Sequence, residues 1–209
     1  MLKQPIQIAT RCLVGSTGQD HIFARVFDDV AIVAIADGVG GSAGGAEAAQ
    51  LVVREAAKVA QNVRDPRDAN FWADWLTEMD LLIDADAEAG ETTAVIAAIG
   101  AGFVAGASVG DSSAWLIGAS DWLDLTENQN RKPFLGRGAA SPTPFSAPWN
   151  GQTVLLASDG LTKYADWERL IPMARGALIQ AAADELVAAV RLPSGHFFDD
   201  VSCILCRDA

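Results

Sequence analysis

A chain of 209 residues, half of them hydrophobic and a fifth charged, is long enough to bury a substantial core, and this composition excludes general disorder. The formal net charge of -12 argues against nucleic acid and anionic membranes as partners, because their phosphates would repel such a surface. The same acidic excess is compatible with carboxylates that collect divalent cations.

The hydrophobic pattern predicts an α+β fold in layers, within a single domain that covers residues 1–209. Most predicted strands follow one another through short turns, so we expect largely antiparallel sheets. The segment 127–150 lacks periodicity and is rich in proline, glycine and serine, which is typical of a functional surface loop. In chain order, we predict strands at 6–14, 21–27 and 31–36, helices at 46–63 and 69–88, a hairpin that turns at 100–102, strands at 113–117, 122–125 and 153–157, helices at 166–171 and 175–190, and a last strand at 201–206.

Three cysteines and a start that does not resemble a signal peptide favour a reducing cytoplasm. Cys203 and Cys206 have the CxxC spacing, but they lie inside the apolar run VSCILC. Redox pairs of this kind lie near a strand-to-helix turn, so we interpret the two cysteines as residues that pack within a strand.

The stretch AIVAIADGVGG, residues 31–41, reads as a fully buried strand that ends abruptly in Asp37 and a glycine-rich turn. A carboxylate at the rim of a core is costly unless it is paired or bound to a cation. Glycine lets another group approach the backbone closely. The stretch therefore suits a hard metal ion at the tip of a strand.

Aspartates also stand at the ends of three other apolar strands: Asp111 in SVGDSS, Asp159 in ASDGL and Asp199 in FFDDVS. If these strands lie side by side, the carboxylates meet at one rim. Ligands that are all oxygen, without a histidine or cysteine cluster, select magnesium or manganese. Several carboxylates in one cleft indicate two ions, which would activate a shared water and clamp a transferring phosphoryl group.

The order QD, DGVGG, GxTT, VGDS, SDGLT and DDVS along the chain resembles the metal-dependent PPM/PP2C family of protein serine/threonine phosphatases, especially its compact bacterial members. The resemblance extends from Gln19 to the last strand. It implies a four-layer α-β-β-α sandwich with two central, mostly antiparallel sheets. It also implies hydrolysis of phosphoserine and phosphothreonine in proteins by a hydroxide that bridges two Mn²⁺ or Mg²⁺ ions, with a third ion in some members.

By this resemblance, the catalytic aspartates are Asp37, Asp159, Asp199 and Asp20. The family pattern implies that Asp37 bridges the two ions and that the Gly38 carbonyl binds the second. It implies that Asp159 and Asp199 hold the first ion. Asp111 would be a ligand of the weaker third ion, and Asp20 would steady metal-bound water. Asp200 stands where many members have asparagine, so we assign the ligand role to Asp199 and a supporting role to Asp200.

Three positions depart from the family pattern. Gly15 stands where members commonly carry an arginine that grips the substrate phosphate, so phosphate binding is weakened unless Arg137 or Lys132 of the loop replaces it. Gln19 occupies a place often held by a metal-contacting glutamate. Val39 replaces the histidine that eukaryotic relatives use as a proton donor, which leaves proton delivery to water.

The resemblance implies a cytoplasmic signalling enzyme, and we expect a monomer. Its partner would be a protein phosphorylated by a serine/threonine kinase. The main alternative is a pseudophosphatase that keeps the fold and serves as a phosphoprotein-binding or regulatory module. A remote alternative is a serine hydrolase, because Ser108 lies in a GxSxG sequence and Asp159 or Asp184 with His196 would complete a triad; that reading requires a helix directly after the serine.

Overall fold

The computed structural model describes residues 5–40 and 43–209; Gly41, the last glycine of the predicted metal-binding stretch, lies outside the described residues. The described chain forms ten strands and five helices. They are β1 (Ile6–Leu13), β2 (Asp20–Phe27), β3 (Val30–Asp37), α1 (Gly45–Val59), α2 (Ala69–Asp84), β4 (Ala94–Gly100), β5 (Phe103–Val109), β6 (Ser113–Ile117), β7 (Trp122–Asp124), β8 (Thr143–Ala147), β9 (Thr153–Ala157), α3 (Asp159–Thr162), α4 (Trp167–Ala174), α5 (Ile179–Ala189) and β10 (Val201–Asp208).

The strands form two five-stranded sheets in which all paired neighbours are antiparallel. The first sheet has the order β1-β10-β9-β6-β7, and the second has the order β2-β3-β4-β5-β8. Helices α4 and α5 pack on the outer face of the first sheet, whereas α1 and α2 pack on the outer face of the second. The predicted α+β class and the four-layer sandwich are confirmed.

Strand β3 shows why the central strands read as continuous apolar runs. Its odd-numbered residues, such as Val33 and Ile35, face the core between the two sheets. Its even-numbered residues, such as Ala34 and Ala36, face the helices. Because successive side chains of a strand point to opposite faces, a strand covered on both sides needs apolar residues at every position.

The observed elements differ from the predicted ones in several places. Helix α2 ends at Asp84, four residues before its predicted end, and the short helix α3 was not predicted. Strand β8 lies inside the segment 127–150, which we predicted to be irregular. It is an edge strand with Pro144 at its second position, and edge strands tolerate proline and need few apolar residues. Helix α1 ends four residues early because the Gln61 and Asn62 amides cap the carbonyls of Ala57 and Lys58. The helix predicted at 166–171 extends to Ala174, and the helix predicted at 175–190 begins only at Ile179.

Strands β1 and β10 pair over their whole length, with Ile6 opposite Asp208 and Leu13 opposite Val201. The Ala209 amide continues this pairing by donating to the Pro5 carbonyl at 3.0 Å. The carboxylates discussed below lie at the Leu13 end. Within residues 5–40 and 43–209, the structure contains no helix of the length and apolar character that crossing a membrane requires.

Candidate metal centre

The predicted aspartates gather at one end of the sandwich, around a cavity of about 360 Å³. Each of them lies where a strand ends or begins, and the two sheets contribute equally. Asp37 ends β3, Asp111 follows β5, Asp159 follows β9 as the first residue of α3, and Asp199 precedes β10. The residues that line the cavity are Ser16, Thr17, Gln19, Asp37, Gly38, Val39, Gly40, Thr93, Asp111, Phe134, Asp159, Phe198, Asp199 and Asp200.

Two threonines hold the backbone of Asp37 in place. The Asp37 amide donates to Thr93 Oγ1 at 3.3 Å, and Thr92 Oγ1 donates to the Asp37 carbonyl at 2.9 Å. The next residue, Gly38, lies against the start of α1, where a Cβ atom would come within 2.4 Å of the Gly45 carbonyl oxygen. Only glycine fits there, and Gly38 lines the cavity next to Asp37.

Asp20 lies behind Asp37 rather than in the cavity lining. It faces Asp37 in the β2–β3 register, and Ser158 Oγ donates to its Oδ2 atom at 2.8 Å. The other oxygen, Oδ1, is buried and has no hydrogen-bond partner in the described part of the chain. Burial raises the pKa of Asp20 to about 6. A carboxylate with a free buried oxygen suits a bound water or cation.

The electrostatics of Asp37 favour a bound cation. Burial, followed by the charges of Asp20, Asp159 and Asp111, raises the pKa of Asp37 well above its usual range. Burial and the charges of Asp111 and Asp199 raise the pKa of Asp159 as well. Carboxylates crowded in this way do not all ionise unless a positive charge neutralises them.

The donor set fits magnesium or manganese. Among the described residues, no three histidine, cysteine, aspartate or glutamate side chains are arranged to hold one ion by themselves. Magnesium commonly uses one or two carboxylates and keeps several waters. Asp37, Asp159 and Asp199, with Gly38, offer that kind of partial coordination, and Asp111 of the same lining offers a further carboxylate.

Asp199 and Asp200 have different environments although they are adjacent. Asp200 accepts backbone hydrogen bonds from Gly15, Ser16 and Gln19 at 2.6–2.9 Å. Burial alone would raise the pKa of Asp200, but these amides outweigh it and hold the pKa below its usual range. Both residues line the cavity, but Asp199 accepts its hydrogen bonds, from Ser16 Oγ at 3.0 Å and from the Asp200 amide at 2.9 Å, at one oxygen, Oδ1. This arrangement favours Asp199 as the metal ligand and Asp200 as the support of the 15–19 loop.

Position 15 has no room for a side chain. A Cβ atom on Gly15 would come within 1.8 Å of the Asp199 carbonyl oxygen. An arginine there would therefore require the backbone beside the predicted metal ligand to shift. Arg137, which we considered as a replacement, instead forms an ion pair with Glu91.

The sequence matches the family described as protein phosphatase 2C over residues 10–191. The chain belongs to the protein phosphatase 2C family. This assignment confirms the predicted enzyme class, a metal-dependent protein serine/threonine phosphatase. A search of curated proteins found no match.

Solved structures share the fold of this phosphatase at low sequence identity. The serine/threonine phosphatase Stp1 from Staphylococcus aureus is 20% identical, with a TM-score of 0.84 over 100% of this chain and 98% of that chain. The catalytic domain of PstP, in complex with two manganese ions, is 19% identical, with a TM-score of 0.80 over 97% of both chains. RsbX, in complex with magnesium, is 18% identical, with a TM-score of 0.75 over 98% of this chain and 96% of that chain.

The serine-hydrolase alternative fails on the structure of this phosphatase. Ser108 lies within β5, its side chain is fully buried, and the chain continues into strand β6 instead of a helix. A nucleophile elbow needs an exposed serine on a strand-to-helix turn.

Sequence reasoning assigned no role to five residues that line the cavity: Ser16, Thr17, Thr93, Phe134 and Phe198. The sequence did offer a signal for Phe198, because this residue directly precedes the predicted ligand Asp199. In the structure its side chain is 62% exposed, which is unusual for a large aromatic residue. Phe134 comes from the segment 127–150, whose approach to the cavity depends on tertiary contacts.

Proposed function

We propose that this phosphatase hydrolyses phosphoserine and phosphothreonine in proteins with two Mn²⁺ or Mg²⁺ ions bound in the carboxylate cavity. The observation that carries the proposal is that carboxylates from both sheets line one cavity. Asp37 would be shared by the two ions, with the Gly38 carbonyl on one side. Asp159 and Asp199 would hold the other ion, and Asp111 would serve a weaker third site.

The residues of the chain contribute position and charge. Bound divalent ions would supply Lewis acidity and a water activated for attack on phosphorus. Asp20 lies behind Asp37 with one free oxygen, where it can accept a proton or hold a water. Two neighbours in the fold support the choice of metal, since the PstP structure contains manganese and the RsbX structure contains magnesium.

The proposed substrate class follows from membership of the protein phosphatase 2C family. A phosphoprotein made by a serine/threonine kinase is the proposed substrate. We also propose that residues 1–209 act as one catalytic domain, as a monomer, in the cytoplasm. The low number of cysteines, three in 209 residues, supports a reducing compartment.

The test measures hydrolysis of para-nitrophenyl phosphate and of a phosphothreonine peptide, with and without added Mn²⁺ or Mg²⁺. We expect no turnover in EDTA. Asp37→Asn and Asp159→Asn should each lower kcat/KM by at least ~100-fold, because each removes charge that holds the ions. Asp74→Asn, an exposed position on α2, is the matched control and should retain activity.

Full turnover in excess EDTA would contradict the metal mechanism. Manganese binding without turnover on any phosphopeptide would contradict the catalytic proposal and favour the pseudophosphatase. Asp111→Asn should reduce kcat/KM less than Asp37→Asn does, since it touches the weaker site.

A further inference from the structure

The cavity lacks a cationic side chain where a substrate anion would need one. Among the described residues, its lining contains five aspartates and neither lysine nor arginine. Ions bound there are largely neutralised by these carboxylates. A phosphoryl dianion that enters such a cavity gains from one further positive charge at the rim.

Lys163 lies at that rim. It follows α3 one helical turn after Asp159, and its Nζ atom is 4.0 Å from Asp159 Oδ2. Its side chain is 60% exposed. Lys163 Nζ also lies 5.5 Å from the centre of the Tyr164 ring. Tyr164 stacks on Phe198, a wall of the cavity, with ring centres 5.1 Å apart. The ammonium group is therefore held between an aromatic wall and a predicted metal ligand.

The other candidate cations are less suitable. Arg137 is paired with Glu91. Arg11 is paired with Asp184 at 2.6 Å, on the α5 side of the first sheet. Lys132 lies 5.5 Å from the ring of Phe134, another cavity wall, so these contacts leave Lys132 open as a rival.

The ion pair of Lys163 is loose enough to change partners. A separation of 4.0 Å at an exposed position gives a weak interaction. A cation bound to Asp159 would weaken it further by neutralising the carboxylate. The flexible stem of lysine then lets the ammonium group reach a phosphoryl oxygen as a mobile point charge.

We propose that Lys163 binds a non-bridging oxygen of the substrate phosphoryl group, in place of a cation on the crowded β1–β2 loop. The proposal rests on the proposed function and deepens it by naming the phosphate-binding residue. It assigns the recognition of phosphate to the residue that directly follows α3, the helix that begins with Asp159.

The test uses inorganic phosphate as the probe, with the manganese-loaded full chain. Isothermal titration calorimetry gives its Kd, and inhibition of para-nitrophenyl phosphate hydrolysis gives its Ki. Lys163→Ala should weaken both by roughly 10-fold or more, because a charge-assisted hydrogen bond is lost. Lys163→Arg should restore most of the affinity. Lys58→Ala, a charge-matched surface control paired with Glu55 on α1, should change neither.

Manganese affinity separates this role from a structural one. We expect Lys163→Ala to bind manganese at least as tightly as the parent chain, since it removes a positive charge beside Asp159. A parallel loss of manganese and phosphate binding would overturn the proposal. So would an unchanged Kd for phosphate in Lys163→Ala, or the same 10-fold loss in Lys132→Ala.

Calorimetry does not depend on turnover, so the two proposals can fail separately. A chain that binds phosphate through Lys163 but hydrolyses nothing would contradict the proposed function and support this inference. Equal hydrolysis of phosphopeptides by Lys163→Ala and by the parent chain would support the proposed function and contradict this inference.

Discussion

Asp199 and Asp200 show how adjacent carboxylates acquire different functions from their neighbours. Both oxygens of Asp200 accept backbone amides from the 15–19 loop, so this side chain organises the loop. Asp199 accepts from Ser16 Oγ and from the Asp200 amide at one oxygen, Oδ1. The sequence motif locates the pair, but the choice between the two residues depends on which one the loop amides reach. Sequence predicts such a site to within a residue, and the loop contacts then favour one candidate.

The two cysteines of β10 lie on opposite faces of the first sheet. Cys203 faces α4 and α5, whereas Cys206 faces the core between the sheets. Residues three apart in a strand point in opposite directions, so these thiols cannot meet in a disulfide. Both are buried, which raises the pKa of Cys203 to about 12 and that of Cys206 further.

We therefore expect Ellman's reagent at pH 8 to label at most one thiol in the folded chain, Cys12, which is exposed. Although the residue is exposed, its sulfur is partly buried where it donates to the Asp20 carbonyl at 3.4 Å, and this partial burial raises the pKa of Cys12. Its labelling should therefore be slow and should speed up as the pH rises. Unfolding in urea should release the remaining two thiols. Labelling that persists in the folded Cys12→Ser variant would contradict the buried placement of β10.

At the scale of elements, a carboxylate on α2 holds the loop that supplies Phe134. Asp80 is buried, and it accepts four backbone hydrogen bonds at 2.6–3.1 Å, from Gly136, Arg137, Gly138 and Ala140. Leu135, just before them, forms a bridge with Thr92, which in turn bridges Gly38. These links connect α2, the loop and the predicted metal ligand.

Asp80→Ala should lower the free energy of unfolding by about 1–3 kcal/mol, because four amides lose a buried acceptor. Displacement of Phe134 should raise the KM for a phosphopeptide more than it lowers kcat. Urea denaturation and steady-state kinetics measure the two effects. Asp74→Ala, on the exposed face of the same helix, is the control. Equal stability and kinetics for the two variants would show that Asp80 does not position the loop.

Two strands of the second sheet, β3 and β8, show how far the sequence predicts the elements. Strand β3 was predicted closely, because burial on both faces leaves a continuous apolar run that ends in Asp37. Strand β8 was missed, because an edge strand with one buried residue, Phe145, has little apolar signal. Its partner β5 supplies the missing information, and that pairing is a contact between residues distant in sequence.

At the scale of the whole molecule, the predicted ions would bind across the junction between the two sheets. Asp37 and Asp111 come from the second sheet, whereas Asp159 and Asp199 come from the first. Ligands from both sheets are in place only in the folded chain, so binding should stabilise the native state. Without the ions, the carboxylates repel one another at this junction.

Manganese should therefore raise the melting temperature of the chain. At 100 times its Kd, a ligand specific for the folded state contributes about 2.7 kcal/mol, which corresponds to roughly 5–10 °C for a domain of this size. Differential scanning calorimetry measures the shift, and EDTA should reverse it. Asp159→Asn should show a smaller shift. An identical shift in that variant would place the stabilising ion elsewhere.

The pairing of β1 with β10 brings Pro5 and Ala209 together at the edge of the sandwich remote from the carboxylates. Eight residues of strand at about 3.3 Å each put roughly 25 Å between these positions and the cavity mouth. A label placed at Pro5 or Ala209 would consequently leave the entrance of the cavity facing solution.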